Sequence, residues 1–304
     1  MHVQASTVPT VGTSRFRAYL ALTKPRIIEL LLVTTVPAMF LAAGGVPPWP
    51  LVVWTLVGGT LAAGSANTFN SVLDADIDSE MRRTRRRPMA QHSVPAGRAY
   101  VFASVLGVLA AVTLGLGTNW LSATLAMTAN AYYVFVYTMG LKRRTSQNIV
   151  WGGIAGCFPP LIGWTAVTGS IDWPPLVLFA IVFFWTPPHT WALAFRYRED
   201  YRQAHVPMLP VVMAPPAVAW RILIYTVATI AVSFVLWPVA QTGWLYPAVA
   251  GVSGLVLLVE SVQLLRRARA GLTDAALKPM RLFHLSNSYL AIVFLAAAVD
   301  PLLT

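Results

Sequence analysis

Charge is scarce in this 304-residue chain: Asp, Glu, Lys and Arg together make up 11% of it, where a soluble domain carries about 25%. Cysteine is scarcer still, with Cys157 alone. The first shortage excludes an ordinary soluble globular domain. The second excludes a disulfide framework and a cysteine-built metal centre, and leaves Cys157, inside the apolar run IAGCFPP, as a small packing residue. Residues 1–18 are polar and contain no apolar core of the kind a signal peptide needs, so no cleavable signal is expected. No linker rich in Gly and Ser divides the remainder. The expected organisation is a polar tail, residues 1–18, followed by one integral domain, residues 19–304.

What the chain has in abundance is apolar residues, 57% of the total, gathered into runs rather than alternating. Runs lie near residues 27–43, 51–73, 100–116, 121–141, 148–167, 174–195, 222–239, 245–265 and 282–299. Each is of the length that a helix rising about 1.5 Å per residue needs to cross a hydrocarbon layer of about 30 Å. They are too long for barrel strands, and lipid tolerates only helices or closed barrels. The fold class expected is all-α: a polytopic bundle of nine transmembrane helices.

The basic residues test that count. With nine crossings, all 22 Lys and Arg fall on one side, in the N-terminal segment and the loops after the second, fourth, sixth and eighth runs. The opposite side has short uncharged turns plus Asp172 and Asp300. The positive-inside rule then puts the N-terminus in the cytoplasm and the C-terminus outside, with the cell membrane as the location. The net charge of +11 thus reflects topology and anionic headgroups, and no nucleic-acid motif accompanies it.

The densest chemistry follows the second run, in NSVLDADIDSEMRRTRRRP. Asn70, Asp74 and Asp78 recur every fourth residue, about 40° apart on a helix, so they share a face; Asp76 is peripheral. These carboxylates sit at a helix C-terminus, where the dipole disfavours anions, so a cation must compensate. Two readings fit. In one the arginine run neutralises them as a solvated hairpin; in the other Mg²⁺ sits on the carboxylates and fills its other positions with water and phosphate. Any single arginine serves as well as a membrane-surface anchor; together they suit a diphosphate, because guanidinium groups bind phosphate oxygens in pairs.

Three further stretches are polar at the same side. The fourth run carries Asn130, Tyr133 and Tyr137 as a stripe and ends at Lys142 and Arg143; the tyrosines read as interfacial anchors, the cations as phosphate contacts or topology signals. In the sixth run Pro187 and Pro188 are expected to break or kink the helix, and His189, Arg196 and Asp200 share a face if it resumes. Asp200, with Glu199, is placed to complete a metal site from the second half. The ninth run opens with His284 and Asn287, which interhelical hydrogen bonding also explains. Glu29 is one turn from Arg26 and reads as its ion-pair partner. A weak duplication, with one acidic patch per half, is compatible with this layout.

These blocks, in order, resemble the intramembrane aromatic prenyltransferase superfamily: LALTKPRIIELLLVTTVPAM, ANTFNSVLDADID with its arginine tail, YTMGLKRRTSQNIVWGG, WTPPHTWALAF with PMLP, and HLSNSYLA. The closest branch is the one that farnesylates haem. The resemblance implies a nine-helix bundle around a lipid-open cavity, with chemistry near the cytoplasmic face. It implies that Asn70, Asp74, Asp78 and Lys142 form the catalytic set, with Mg²⁺ on Asp74, Asp78 and Asp200. Arg82, Arg86, Lys142 and Arg143 would take the diphosphate of farnesyl diphosphate. His189 and His284 would contact haem b, a substrate, by iron or propionate. The vinyl group would attack the allylic cation and water would capture the cation so formed; the next enzyme of haem A synthesis would be a candidate contact. Quinone-forming relatives carry a second Asp-rich motif beginning near Thr190; here carboxylates come only at Glu199 and Asp200, as in the haem branch. The rival readings are a prenyltransferase acting on a quinone precursor or chlorin, and a secondary transporter. Transporters place ionisable groups at mid-membrane, whereas these cluster at one interface.

Overall fold

The computed structural model describes residues 15–303, with the side chains of residues 26–32 left out; Arg26, Glu29 and most of the polar tail lie outside what it describes. Every described element is helical. In chain order they are α1 (Arg15–Leu22), α2 (Pro25–Ala43), α3 (Trp49–Leu73), α4 (Ala75–Glu80), α5 (Ala96–Gly117) and α6 (Trp120–Ala131). A π-helical stretch, Tyr132–Leu141, extends α6. There follow α7 (Asn148–Gly152), a 3₁₀ segment (Gly153–Cys157), α8 (Phe158–Thr168), α9 (Trp173–Arg196), α10 (Arg198–Gln203) and α11 (Leu209–Val212). The chain closes with α12 (Pro215–Ala240), α13 (Leu245–Arg269) and α14 (Pro279–Val299). Proline opens α2, α12 and α14, where its missing N–H and fixed φ cost nothing.

Among the described residues, seven helical stretches are long and apolar enough to cross a membrane: Trp49–Leu73, Ala96–Gly117, Asn148–Thr168, Trp173–Arg196, Pro215–Ala240, Leu245–Arg269 and Pro279–Leu302. The two other runs expected to cross coincide with α2, of which Val33–Ala43 is a shorter apolar helix, and with α6 plus its π-helical extension. Mid-helix residues such as Val108, Val252 and Leu295 are exposed on the outer surface, as lipid contact requires. This is a multi-pass membrane protein. Exposed tryptophans mark the starts of four helices: Trp49, Trp120, Trp173 and Trp244.

The core is lopsided. Large side chains, among them Trp191, Tyr289, Phe294 and Ile222, fill the space between α9, α12, α13 and α14. The first half has a much smaller cluster around Ala62, Leu114, Ala126 and Phe158. Here α3 packs on α5, and α2 packs on α8 so closely that a Cβ on Gly163 would meet the Thr35 carbonyl. Small residues thus bring the backbones together but leave space unfilled. The expected break at Pro187 and Pro188 is absent: α9 is helical throughout, with both prolines buried among neighbouring helices. Cys157 is buried, its thiol on the Gly153 carbonyl, as a packing residue would be.

Candidate active site

Asn70 lies in the last turn of α3, and Asp74, directly after the helix, is in a non-helical conformation (φ −98°, ψ 9°), so the expected continuous helix bends there into α4. The bend preserves one expected encounter: Asn70 Nδ2 donates to Asp74 Oδ2 at 2.7 Å. It also donates to Thr138 Oγ1 at 3.2 Å, and Thr138 in turn donates to the Tyr133 carbonyl, five residues back, at 2.9 Å. The π-helical winding therefore decides which side of this segment meets α3. Gly152 admits the Tyr137 ring, since a Cβ there would collide with it. Asn70, Asp74 and Asp78 are all buried.

Two lysines converge on this pair. Lys142, just past the π-helix, donates its ammonium to Asp74 Oδ2. Lys24 donates to Asn70 Oδ1. Lys24 adopts the left-handed conformation (φ 52°, ψ 63°) immediately before Pro25, a strained arrangement that α3 holds in place. Asn67 Nδ2 donates to the Thr23 carbonyl at 3.0 Å, and Ser71 Oγ reaches the Leu22 carbonyl at 3.4 Å. Burial, then the nearby Arg87, pushes the Lys24 ammonium down to about 7, against the opposing pull of Asp78 and Asp74.

The arginines divide into distinct roles. Arg87 folds back so that Nη1 lies 2.9 Å from both oxygens of Asp78. Arg143 forks onto Asp76 at 2.6 and 2.7 Å and donates to the Leu73 carbonyl at 2.9 Å. This pairing lowers the Asp76 carboxyl below its usual range and raises Arg143 above its own. The backbone N–H of Arg83 donates to Asp200 Oδ2 at 3.2 Å, and its guanidinium lies over the Tyr197 ring, 5.1 Å from the centroid. Arg82 and Arg86, the two arginines expected at the diphosphate, are exposed.

Among the described residues, no three His, Cys, Asp or Glu side chains converge on a point, so Asp74, Asp78 and Asp200 do not form one cluster. Asp74 Oδ1 is buried without a hydrogen-bond partner, and Arg143 Nη2 stands 3.9 Å from it. A hard cation that keeps several waters and takes only one or two carboxylates fits such a donor set.

A cavity of about 210 Å³ adjoins the cluster. Asn67 and Tyr133 stand at its polar end, one turn from Asn70, and Thr55, Phe158 and Ile162 are among the residues lining it deeper along α3. Gly59, Ala62, Ala63 and Ala66 provide the smooth α3 wall. Tyr133, expected as an interfacial anchor, faces this cavity, with its ring centroid 5.4 Å from that of Tyr137.

The two histidines part company. His189 is stacked between Trp185 (4.2 Å) and Phe283 (4.5 Å), with Nδ1 3.0 Å from Ser286 Oγ. His284 is exposed, and Asn287 Oδ1 is buried without a partner. Neither histidine lines the cavity.

Lys24 and Thr138 escaped the sequence reading, and Arg87 entered it only as one of the arginine run. A signal existed for Lys24: a lysine directly before a proline-started helix is a cation at a positive dipole end, where it is disfavoured unless a partner waits. For Thr138 none existed, and for Arg87 the run's charge was legible but not which arginine returns to Asp78, because the arginine turn and the π-helical winding are tertiary outcomes.

Residues 31–287 match the UbiA prenyltransferase family. The chain belongs to that family. It is 68% identical over 286 residues, covering 94% of this chain and 85% of the relative, to the protoheme IX farnesyltransferase of Cutibacterium acnes. In fold it is similar to a digeranylgeranylglyceryl phosphate synthase structure (TM-score 0.78, 15% identity, 96% of this chain and 100% of that one). A UbiA homolog from Archaeoglobus fulgidus bound to DMAPP and Mg²⁺ is also similar (TM-score 0.66, 14% identity, 93% and 99%). For this UbiA-family chain the likeness to the solved structures concerns the fold.

Proposed function

We infer that this protein transfers the farnesyl group of farnesyl diphosphate to a vinyl group of haem b, with addition of water, giving haem O and diphosphate. The observation that supports the prenyl-transfer chemistry is an apolar cavity lined by Asn67, one turn of α3 from Asn70 of the buried Asn70–Asp74–Lys142 cluster. The haem acceptor follows from close relatives bearing that activity in their names.

In the reaction the C1–O bond of the diphosphate ester breaks, and C1 joins the terminal vinyl carbon. Water then adds to the adjacent carbon with loss of a proton. Asp74 and Asp78 would hold Mg²⁺, with Asn70 alongside; when bound, it supplies charge neutralisation for the departing diphosphate. Lys142, Lys24 and Arg143 place cationic donors where that anion forms, and fixed charges of this kind act strongly in a site closed to water. Arg87 aims Asp78, and Asp200 ties the arginine turn to α10. Arg82 and Arg86, exposed, suit anionic headgroups better than the buried diphosphate. The cavity's apolar walls keep water from the allylic cation until the new bond has formed. Of the two histidines, His284 is open to a haem, while His189 is held by its neighbours.

The same reading includes nine crossings, with α2 and the α6–π helix as the two beyond the seven, the N-terminus and active site at the cytoplasmic face of the cell membrane, and the C-terminus outside. Supporting it, the arginine-bearing ends of α9 and α13 lie opposite the tryptophan-marked starts of the same helices, an aromatic belt facing a positive rim. The next enzyme of haem A synthesis is the natural recipient of so apolar a product.

The test is purified protein with Mg²⁺ and labelled farnesyl diphosphate, offered haem b, 4-hydroxybenzoate or a chlorin, with product mass measured. Label on haem b, at the mass of farnesyl plus water, is the expected result. Label on another acceptor alone would give the protein to the quinone or chlorin reading.

A further inference from the structure

Gly59 on α3 and Gly156 in the 3₁₀ segment both line the cavity, and a Cβ built on either would meet no atom within 4 Å. Two other helix glycines of the first half permit contact: a Cβ on Gly58 would strike Leu114, and one on Gly117 would strike Trp54. Gly59 and Gly156 instead border open volume. Glycine in a helix interior costs about 1 kcal/mol relative to alanine, so close packing does not account for its presence at Gly59.

Depth gives that volume a meaning. Gly59 precedes Asn70 by eleven residues, about 16 Å along the helix axis at about 1.5 Å per residue. An isoprene unit contributes four carbon–carbon bonds of about 1.5 Å to its chain, hence about 5 Å of extended length, and three units about 15 Å. A chain whose diphosphate end is held at Asn70 therefore brings its third unit level with Gly59. Thr55, one turn further, is buried and donates to the Leu51 carbonyl at 2.7 Å.

We propose that Gly59, level with the third isoprene unit, and Gly156, elsewhere on the cavity wall, are specificity-determining residues that keep the cavity wide enough for three units, and so set the donor to a fifteen-carbon chain. This rests on the prenyl-transfer reading given above. A side chain at Gly59 fills the place of the third unit and leaves room for two, and one at Gly156 narrows the same cavity.

The experiment compares Gly59→Leu and Gly156→Leu with wild type, each at matched folded amount judged by thermal melting in detergent. Each is given Mg²⁺, haem b and either geranyl or farnesyl diphosphate. The wild type prefers the farnesyl donor. In the variants the ratio of kcat/KM for geranyl over farnesyl rises at least tenfold, mainly through loss of the farnesyl reaction. An unchanged ratio in either folded variant overturns the proposal; should one fail to fold, the other decides. Failure of the wild type to prenylate with any donor would instead remove the underlying function, so the two failures are distinguishable.

Discussion

Lys142 and Asp74 are joined through Oδ2 of the carboxylate, the same oxygen that accepts from the Asn70 amide. Sixty-eight residues separate the two in sequence. Their meeting makes one site of the C-terminal end of α3 and the exit of the π-helix, and it leaves Oδ1 of Asp74 without a hydrogen bond.

Replacing Asp74 by Asn removes one partner of a buried charge pair and the donor best placed for a cation. Haem O formation should fall by about 10²-fold or more, with membrane insertion retained. Asp78→Asn should do the same by releasing Arg87. Pigment analysis by mass, beside immunoblots of the membrane fraction, checks both; near-wild-type turnover would dismiss the carboxylate site.

Lys24→Met should raise KM for farnesyl diphosphate about tenfold or more, as expected for one charge-assisted hydrogen bond of about 1.5–3 kcal/mol. Steady-state kinetics at saturating haem b reads this directly. A KM equal to wild type would show that Lys24 only braces Asn70.

Among the arginines, Arg87→Ala should reduce turnover far more than Arg82→Ala or Arg86→Ala, because Arg87 alone of the three grips a motif carboxylate. Equal losses in all three would favour a diffuse electrostatic role over a specific one.

Chelation of divalent metal should stop turnover, and added Mg²⁺ should restore it. Full activity after exhaustive chelation would leave the lysines and arginines to stabilise the diphosphate unaided.

His189→Ala should lower the melting temperature, since it empties a slot between two aromatic rings at a cost of about 2–5 kcal/mol. His284→Ala, at an exposed position, should leave melting unchanged and weaken haem binding in an optical titration. The reverse pattern would exchange the roles given to the two histidines.

Much of this was legible in the sequence for local reasons. Apolar runs of membrane-spanning length announce helices, because lipid leaves the backbone no other way to satisfy itself. Spacing by four brought Asn70 and Asp74 together as a helical face requires. Of the break or kink expected at the proline pair in α9, a break does not occur, because neighbouring helices bury both residues and the helix runs on through them. Asp200 stands apart from Asp74 and Asp78, and Arg86 is exposed, for another reason: their sequence neighbours fixed the charge of a segment but not the direction in which it folds back.

The sequence alone determined the solvent this chain lives in and its helical class, since these follow from composition and short-range periodicity. Tertiary structure alone decided that Lys24 reaches Asn70, that Arg87 rather than Arg82 or Arg86 answers Asp78, and that an apolar cavity opens beside Asn67. Each is a contact or a void between segments far apart in the chain, and only packing sets which side chains meet there and which space stays empty.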